Sequence, residues 1–234
     1  MNSLRAAFLD LLVPVYCAGC GFPGISVCAD CRQRGLDNPI GRRITLGPPF
    51  LEVWSAADYS GSVRRIVLEY KTRGSPALRP ILILWAAQAL SVWALASRDP
   101  LLVVPLHSGP TTRASANCDV PFQLAMRAVR KLRLAGMDLR LADLIAADRK
   151  RERQKELGVR GRLVRARDQP RVRQAGSGHP TGSAEFQCVL FDDVVTTGAS
   201  LVSAGRALTG AGWDVLGGAA LATVQPSAGG STDA

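Results

Sequence analysis

The stretch "VLFDDVVTTGAS", residues 189–200, places the narrowest limits on the fold of this chain. An apolar run typical of a strand ends in two aspartates, and Thr-Thr-Gly then leads into a run typical of a helix. In parallel sheets, ligands bind beyond the carboxyl ends of the strands, where such loops enter a helix. Because the N–H groups at a helix start attract anions and Gly198 lets an anion approach the backbone, the stretch predicts a phosphate site.

The polar side chains of this stretch extend the prediction from a phosphate to a sugar phosphate. Thr196, Thr197 and Ser200 add hydroxyl donors. Asp192 and Asp193 accept hydrogen bonds strongly, which vicinal sugar hydroxyls would donate, and they could also help to hold a divalent cation. The competing interpretation is an ordinary strand, loop and helix whose acidic residues stabilise the helix start. The length of the combined pattern favours the ligand interpretation.

Strand and helix patterns alternate along most of the chain after residue 50. Strand-like runs occur at residues 53–59, 100–106, 186–193 and 215–224, and helical runs at residues 62–74, 81–96, 120–134 and 199–211. Strands that alternate with helices predict an α/β fold with a parallel sheet covered on both faces. At 234 residues and 47% hydrophobic content, the chain is long enough for one such domain with a small appendage.

Four of the six cysteines lie close together in "CAGCGFPGISVCADC". Each CxxC pair can fold as a tight turn that directs two thiolates at one ion, so the pattern predicts a tetrahedral zinc site of structural type. The four ligands would be Cys17, Cys20, Cys28 and Cys31. Two disulfides are the alternative, which the absence of a secretion signal disfavours. Cys118 and Cys188 are most simply small core residues.

The apolar segments of the chain predict a soluble protein. The N-terminal apolar run is interrupted by Asp10 and is followed by no small-residue cleavage site, so we expect no secretory signal. Residues 80–97 are more apolar, but they contain Gln88 and Ser91 and are short for a bilayer, so they predict a buried helix. We therefore expect a cytoplasmic location.

The net charge of +10 comes mainly from arginines, which cluster in residues 148–174. Such a cluster is most often a solvated helix face or loop. Its functional interpretation is an anionic partner, either a phosphorylated small molecule or a nucleic-acid backbone. Charge alone leaves both partners open.

The residues around the opening stretch are similar to those of a known group. "CVLFDDVVTTGAS" resembles the motif that binds 5-phosphoribosyl 1-diphosphate (PRPP) in type I phosphoribosyltransferases. Together with the four-cysteine cluster it resembles, more narrowly, the ComF family, whose members include competence proteins of natural DNA uptake. "YSGSVRRIVLEYKTRG" and "LLVVPL" are similar to further segments of that family. The resemblance extends over residues 12–224.

This resemblance implies a set of site residues. It places Asp192 and Asp193 at the catalytic position, where they hold the ribose hydroxyls. The implied 5-phosphate cradle consists of Thr196, Thr197, Gly198, Ala199 and Ser200. Leu106, His107 and Ser108 would lie in the loop that meets the diphosphate. The cations expected at the diphosphate end are Lys71, Arg113 and residues 149–165, the last as a mobile lid.

The resemblance also implies a domain organisation and a chemistry. Residues 1–48 would form the four-cysteine zinc module, residues 49–225 a type I phosphoribosyltransferase-like domain, and residues 226–234 a disordered tail. Mg²⁺ would chelate the diphosphate while a nitrogen acceptor attacks the anomeric carbon, and the enzyme would act by electrostatics and positioning. Neither His107 nor His179 lies in a motif that requires a general base, so we assign neither a catalytic role.

Two other functions remain open from the sequence. The first is a non-catalytic DNA-uptake factor in which the zinc module and the arginines hold single-stranded DNA and PRPP is at most a regulator. Stacking aromatics would support it, and residues 148–174 contain none. The second is a regulator that uses the fold for protein contacts. Asp192 and Asp193 argue against it, because adjacent carboxylates repel each other without an evident structural benefit.

Overall fold

The computed structural model describes residues 15–37, 39–44, 51–107, 119–145, 170–173 and 186–225. Its strands are β1 (Ile40–Ile44), β2 (Leu51–Asp58), β3 (Leu101–Pro105), β4 (Leu139–Leu141), β5 (Gln187–Val195) and β6 (Asp214–Thr223). Its helices are α1 (Ala29–Gln33), α2 (Gly61–Arg73), α3 (Arg79–Ala96), α4 (Val120–Leu134) and α5 (Ala199–Gly210), with a 3₁₀ turn at Pro76–Leu78. The predicted tail, Cys118 and His179 lie outside the described residues.

The six strands form one mostly parallel sheet in the order β1-β2-β6-β5-β3-β4. Five strands, from β2 to β4 in this order, run parallel, and β1 pairs antiparallel with β2. The predicted mixed α/β fold is therefore confirmed at this level. The strands β1 and β4 were not predicted, because Gly41, Arg42 and Arg140 interrupt the apolar pattern that identifies a strand. The helix α1 was not predicted either, because its five residues are too few to show a helical pattern.

Alternate residues of the central strands enter two separate cores. In β3, Leu101 and Val103 pack in the core that includes residues of α2, α3 and α4, whereas Leu102 and Val104 pack in the core that includes residues of α5. Successive side chains of a strand point to opposite faces, so an all-apolar strand is suited to a sheet covered on both sides. This explains the uninterrupted apolar runs of β3 and of residues 188–191 in β5.

The apolar helix α3 is part of the larger core. The segment Pro76–Ala96 is the one helix among the described residues that is long and apolar enough to cross a membrane, but half of it is buried inside the fold. Trp85 is fully buried, and Trp93 Nε1 donates to the Gly218 carbonyl at 2.8 Å. A side chain at Gly217 would overlap the Trp93 ring, with its Cβ at 2.3 Å. The prediction of a buried helix agrees with this packing, which is consistent with a soluble protein.

Candidate functional site

The loop after β5 encloses a small polar cavity at the carboxyl edge of the sheet. The ends of three parallel strands lie side by side there, with Val195 of β5 beside Thr223 of β6 and Thr223 beside Asp58 of β2. The cavity measures about 50 Å³ and is lined by Asp192 and residues 194–201. It has room for a small polar group rather than for a whole nucleotide. The structure thus brings the predicted cradle residues together around one cavity.

Gly198 sets the conformation of this loop. It is buried, precedes the first residue of α5 and has a left-handed φ of +80°, which favours glycine. The hydroxyl of Thr197 accepts from the N–H of Ala199 at 3.3 Å. Arg42 of β1 holds the loop from the other side, because its Nη1 donates to the carbonyls of Thr196 at 2.9 Å and Val224 at 2.5 Å. The first turn of α5 therefore opens directly onto the cavity.

The two adjacent aspartates have different environments. Asp193 is 5% exposed, and its Oδ1 lies 2.7 Å from Nζ of Lys71 on α2. Asp192 is half-buried, lines the cavity and accepts from the N–H of Asp193 at 2.8 Å. The sequence placed Lys71 at the diphosphate end of the site. The structure gives it the Asp193 carboxylate as a partner.

Burial raises the pKa of Asp192 to about 8. Burial is the largest cause of this shift and the negative charge of Asp193 is the next, while the N–H of Asp193 and the charge of Lys71 offset only part of it. Asp192 therefore carries a proton at neutral pH, whereas Asp193 forms a charged pair. The cavity thus contains a carboxyl group that can both donate and accept hydrogen bonds.

A second polar cluster surrounds His107, just beyond the carboxyl end of β3. The side chain of His107 is 4% exposed, its Nδ1 contacts the Asp119 carboxylate, and its Nε2 lies 2.8 Å from Oδ1 of Asp143. Nη1 of Arg173 lies 3.2 Å from Oδ2 of Asp143, and the Phe122 ring stacks on the imidazole at 5.8 Å. Burial lowers the pKa of His107, but the two carboxylates outweigh it and raise the pKa to about 9. His107 is therefore protonated at neutral pH, with a carboxylate beside each of its ring nitrogens.

We expect a His107→Gln variant to lose stability chiefly below pH 9. Because the folded pKa of about 9 exceeds the ordinary histidine value of 6.5, the charged imidazole stabilises the fold fully below pH 6.5, and this contribution disappears as the pH rises through 9. Urea unfolding at about pH 6 and about pH 10 should show that the variant's deficit shrinks at the higher pH. As a control, Phe122→Leu should lower the free energy of unfolding by the same amount at both pH values. A His107→Gln deficit that does not depend on pH would contradict the charged network.

The four predicted zinc ligands converge on one point. All four Sγ atoms lie within 4.8 Å of one another, and Sγ of Cys20 and Sγ of Cys28 are 3.6 Å apart. A tetrahedral zinc ion with Zn–S bonds of about 2.3 Å needs sulfur atoms about 3.8 Å apart, so the donor set fits zinc closely. None of the four is in a disulfide. Among the described residues this is the one cluster of three or more such ligands that could hold a metal ion.

The environment of the thiols differs between the buried ligands. Burial raises the pKa of Cys17, but backbone N–H donors, first that of Cys28 at 3.3 Å, outweigh it and lower the pKa to about 6. Burial raises the pKa of Cys31 to about 12, with a further contribution from the neighbouring thiols. A bound cation would favour all four thiolates.

The cysteine cluster packs directly on the sheet domain. Cys17 and Cys31 belong to the same core as α2 and α3. Arg65 of α2 donates from Nε to the Gly19 carbonyl, and Trp85 Nε1 of α3 donates to the Arg32 carbonyl at 3.2 Å. The predicted boundary between residues 48 and 49 stays a prediction, although β1 from the first segment pairs with β2.

Several predicted contacts cannot be placed, and sequence reasoning missed others. Ser108, Arg113 and residues 149–165 lie outside the described residues. The partners of His107 were missed because Asp119 and Asp143 lie 12 and 36 residues away in segments without a motif. No sequence signal available from one chain would have identified them.

Comparisons with known proteins leave the family open. A scan against models of known protein families finds no match, and a search of curated proteins finds no similar sequence. The structure establishes a mostly parallel α/β sheet, a four-cysteine cluster able to hold a metal such as zinc, and a polar cavity beyond β5.

Proposed function

We propose that this protein binds a phosphoribosyl compound, PRPP or ribose 5-phosphate, in the cavity beyond β5. The observation that supports it most is the position of this cavity, at the carboxyl edge of a parallel sheet and against the first turn of a 12-residue helix, with Gly198 at the point of entry. This position is where α/β proteins bind phosphates. With the motif and the four-cysteine cluster, it supports a ComF-like protein with a type I phosphoribosyltransferase-like domain.

The polar side chains of the cavity, and the neighbouring pair of Asp193 and Lys71, each have a role in this proposal. The backbone N–H groups at the start of α5 and the hydroxyls of Thr196, Thr197 and Ser200 bind the 5-phosphate. Asp192 exchanges hydrogen bonds with the ribose hydroxyls, and the pair of Asp193 with Lys71 holds the end of β5 in place. Mg²⁺ would enter with the diphosphate and offset charge on the leaving group, and its own charge would favour loss of the Asp192 proton, so that this side chain could help to hold the ion as a carboxylate.

The proposed reaction is transfer of the phosphoribosyl group to a nitrogen acceptor. The chain would position the ribose at its phosphate end and exclude water from the anomeric carbon. The bond between the anomeric carbon and the diphosphate oxygen would break, the diphosphate would leave with the bonding electrons, and the nitrogen lone pair of the acceptor would form the new bond at the oxocarbenium-like centre. Zinc has a structural role in this proposal, because four thiols fill its coordination sphere. We further propose a cytoplasmic role linked to competence and DNA uptake.

The binding site can be tested by calorimetric titration of PRPP with Mg²⁺. We expect saturable binding that is weakened about a hundredfold or more in an Asp192→Asn, Asp193→Asn double variant, since asparagine lacks the negative charge with which Asp192 would hold Mg²⁺ and the change at Asp193 breaks the pair with Lys71 that holds the end of β5. The control is Asp214→Asn at the first residue of β6, which lies at the opposite edge of the sheet. Circular dichroism should show that the double variant is folded. Equal affinity of the double variant and the wild type would contradict the site.

A second candidate function is single-stranded DNA binding by the cysteine module. Tyr16 and Phe22 are 56% and 61% exposed, and Tyr16 bridges to Pro23, so the two aromatic residues lie on neighbouring backbone segments. Exposed aromatics on a protein of net charge +10 are a platform on which bases can stack. Oligothymidylate should be titrated at low and high salt beside PRPP. Salt-sensitive DNA binding without a PRPP signal would favour this function over the first.

A further inference from the structure

Helix α4 has a basic surface that the phosphate site does not use. Its 15 residues include four basic side chains and no acidic one. The basic residues are Arg127, Arg130, Lys131 and Arg133. All four are exposed, while Leu124, Ala125, Ala128 and Leu132 of the same helix are buried in the larger core. The helix is therefore fixed to the fold by one face and presents a dense positive charge on the rest.

One stripe of this helix lines a groove beside strand β4. Its members follow the i, i+3, i+4, i+7, i+8 spacing of a single helix face: Met126, Val129, Arg130, Arg133 and Leu134. Arg140 and Leu141 of β4 form the other wall, and the groove has a volume of about 640 Å³. Met126 and Leu134 are 38% and 83% exposed. Large apolar side chains that line a groove and stay exposed mark a contact surface rather than an ordinary solvated face.

Three of the residues that line the groove are arginines, namely Arg130, Arg133 and Arg140. Arg140 is held beside the groove by a contact of its guanidinium with the Phe186 ring at 5.3 Å from the centroid. Among the described residues, neither Arg130 nor Arg133 forms an ion pair. None of the described residues that line the groove is acidic. The described part of the groove therefore lacks the negative charges that would complement its cations, and a ligand with carboxylates would supply them.

We propose that the groove between α4 and β4 is the docking site of an acidic amphipathic segment of a partner protein. Such a segment inserts apolar side chains against Met126 and Leu134 and directs carboxylates at the three arginines, as helix-in-groove complexes do. Nucleic acid fits less well, because no aromatic side chain among the described lining residues offers a stacking surface. Residues 146–169 of this chain fit less well too, since they contain nine basic and four acidic residues.

The proposal is independent of PRPP binding and is tested with a defined probe. The probe is a fluorescein-labelled 16-residue peptide of Glu, Leu and Phe with its apolar residues on one helix face, beside a scrambled peptide of the same composition. Anisotropy titration should give about tenfold weaker binding of the patterned peptide to Arg130→Glu, Arg133→Glu than to the wild type. The matched control is Arg127→Glu, Lys131→Glu, which makes the same charge change on the same helix outside the groove, and its affinity should fall less than about threefold.

A Leu134→Gln variant tests the apolar lining of the groove without a change of charge. It should weaken binding of the patterned peptide several-fold and leave binding of the scrambled peptide unchanged. Because Leu134 is exposed, the substitution should leave the fold intact. Equal losses in both charge-reversal variants, or equal affinity for both peptides, would overturn the groove as the site. Binding of oligothymidylate that is lost only in Arg130→Glu, Arg133→Glu, with no binding of the patterned peptide, would overturn a protein partner and assign the groove to nucleic acid.

Discussion

A Cys31→Ser variant should lose both its bound metal and most of its stability. Cys31 is 2% exposed, is one of four thiols that converge on one point, and belongs with Cys17 to the larger core. Metal binding at such sites contributes to folding directly, with about 10–16 kcal/mol of apparent binding free energy in zinc-finger peptides. We expect the zinc content to fall from about one ion per chain to nearly none, and the midpoint of thermal unfolding to fall by about 10 °C or more.

The matched control is Cys188→Ser on β5. Cys188 is also fully buried, but it lies in the other core, so its serine variant loses core stability and keeps the metal. Metal analysis of both purified variants separates the two effects. If Cys31→Ser retained a full equivalent of zinc, or if the wild-type protein proved metal-free and fully folded, the four-cysteine site would be contradicted.

Loss of the metal should also destabilise the rest of the fold, because the cysteine module and the sheet share one core. Trp85 of α3 donates to the Arg32 carbonyl, and a Cβ at Gly35 would come within 2.2 Å of the same indole ring. An independent small domain would unfold without affecting its neighbour. Here we expect a single cooperative unfolding transition, since the contacts that hold the module are also contacts of α2 and α3.

The parts of the fold that were predictable are those with a long, regular pattern. The helix predicted around residues 120–134 is observed there, because its apolar residues recur at helical spacing. The structure adds the reason for its start, since the Asp119 side chain accepts from the N–H of Phe122. The four-cysteine cluster was also predictable, since the ligand chemistry determines the spacing within each CxxC pair. Gly198 was predicted to lie where the loop leads into a helix, and its left-handed φ, which few other residues adopt, suits glycine at that position.

The parts that were not predictable depend on contacts between distant residues. Strand β4 has three residues with an arginine at its centre, and it is a strand only because β3 lies beside it. The pair of Lys71 and Asp193 joins residues 122 positions apart. Sequence reasoning treated the two aspartates as equivalent and gave neither a structural partner. Three-dimensional packing separates them, because one lies against α2 and the other lines the cavity.

That difference predicts opposite effects of Asp193→Asn and Asp192→Asn on stability. Asp193→Asn removes the charge that pairs with Lys71 at 2.7 Å, and removing one member of a buried pair is strongly destabilising. The Lys71 side chain is 33% exposed and can turn toward water, so we expect a loss of about 2–3 kcal/mol in the free energy of unfolding. A Lys71→Met, Asp193→Asn double variant should be less destabilised than the sum of the single variants.

Asp192→Asn should leave stability unchanged near pH 4 and increase it relative to the wild type as the pH rises. The folded carboxyl, with a pKa of about 8, holds its proton while the unfolded one releases its own near 3.8, so the wild type loses stability between these values. The asparagine variant lacks that titration. Urea unfolding at about pH 4.5 and about pH 8.5 should therefore show that the free energy of unfolding of Asp192→Asn rises relative to that of the wild type. Asp193→Asn should remain less stable than the wild type at the higher pH. Equal pH dependence of the Asp192→Asn variant and the wild type would show that Asp192 is ionised in the folded protein, and the cavity would then present a charged carboxylate to the ligand.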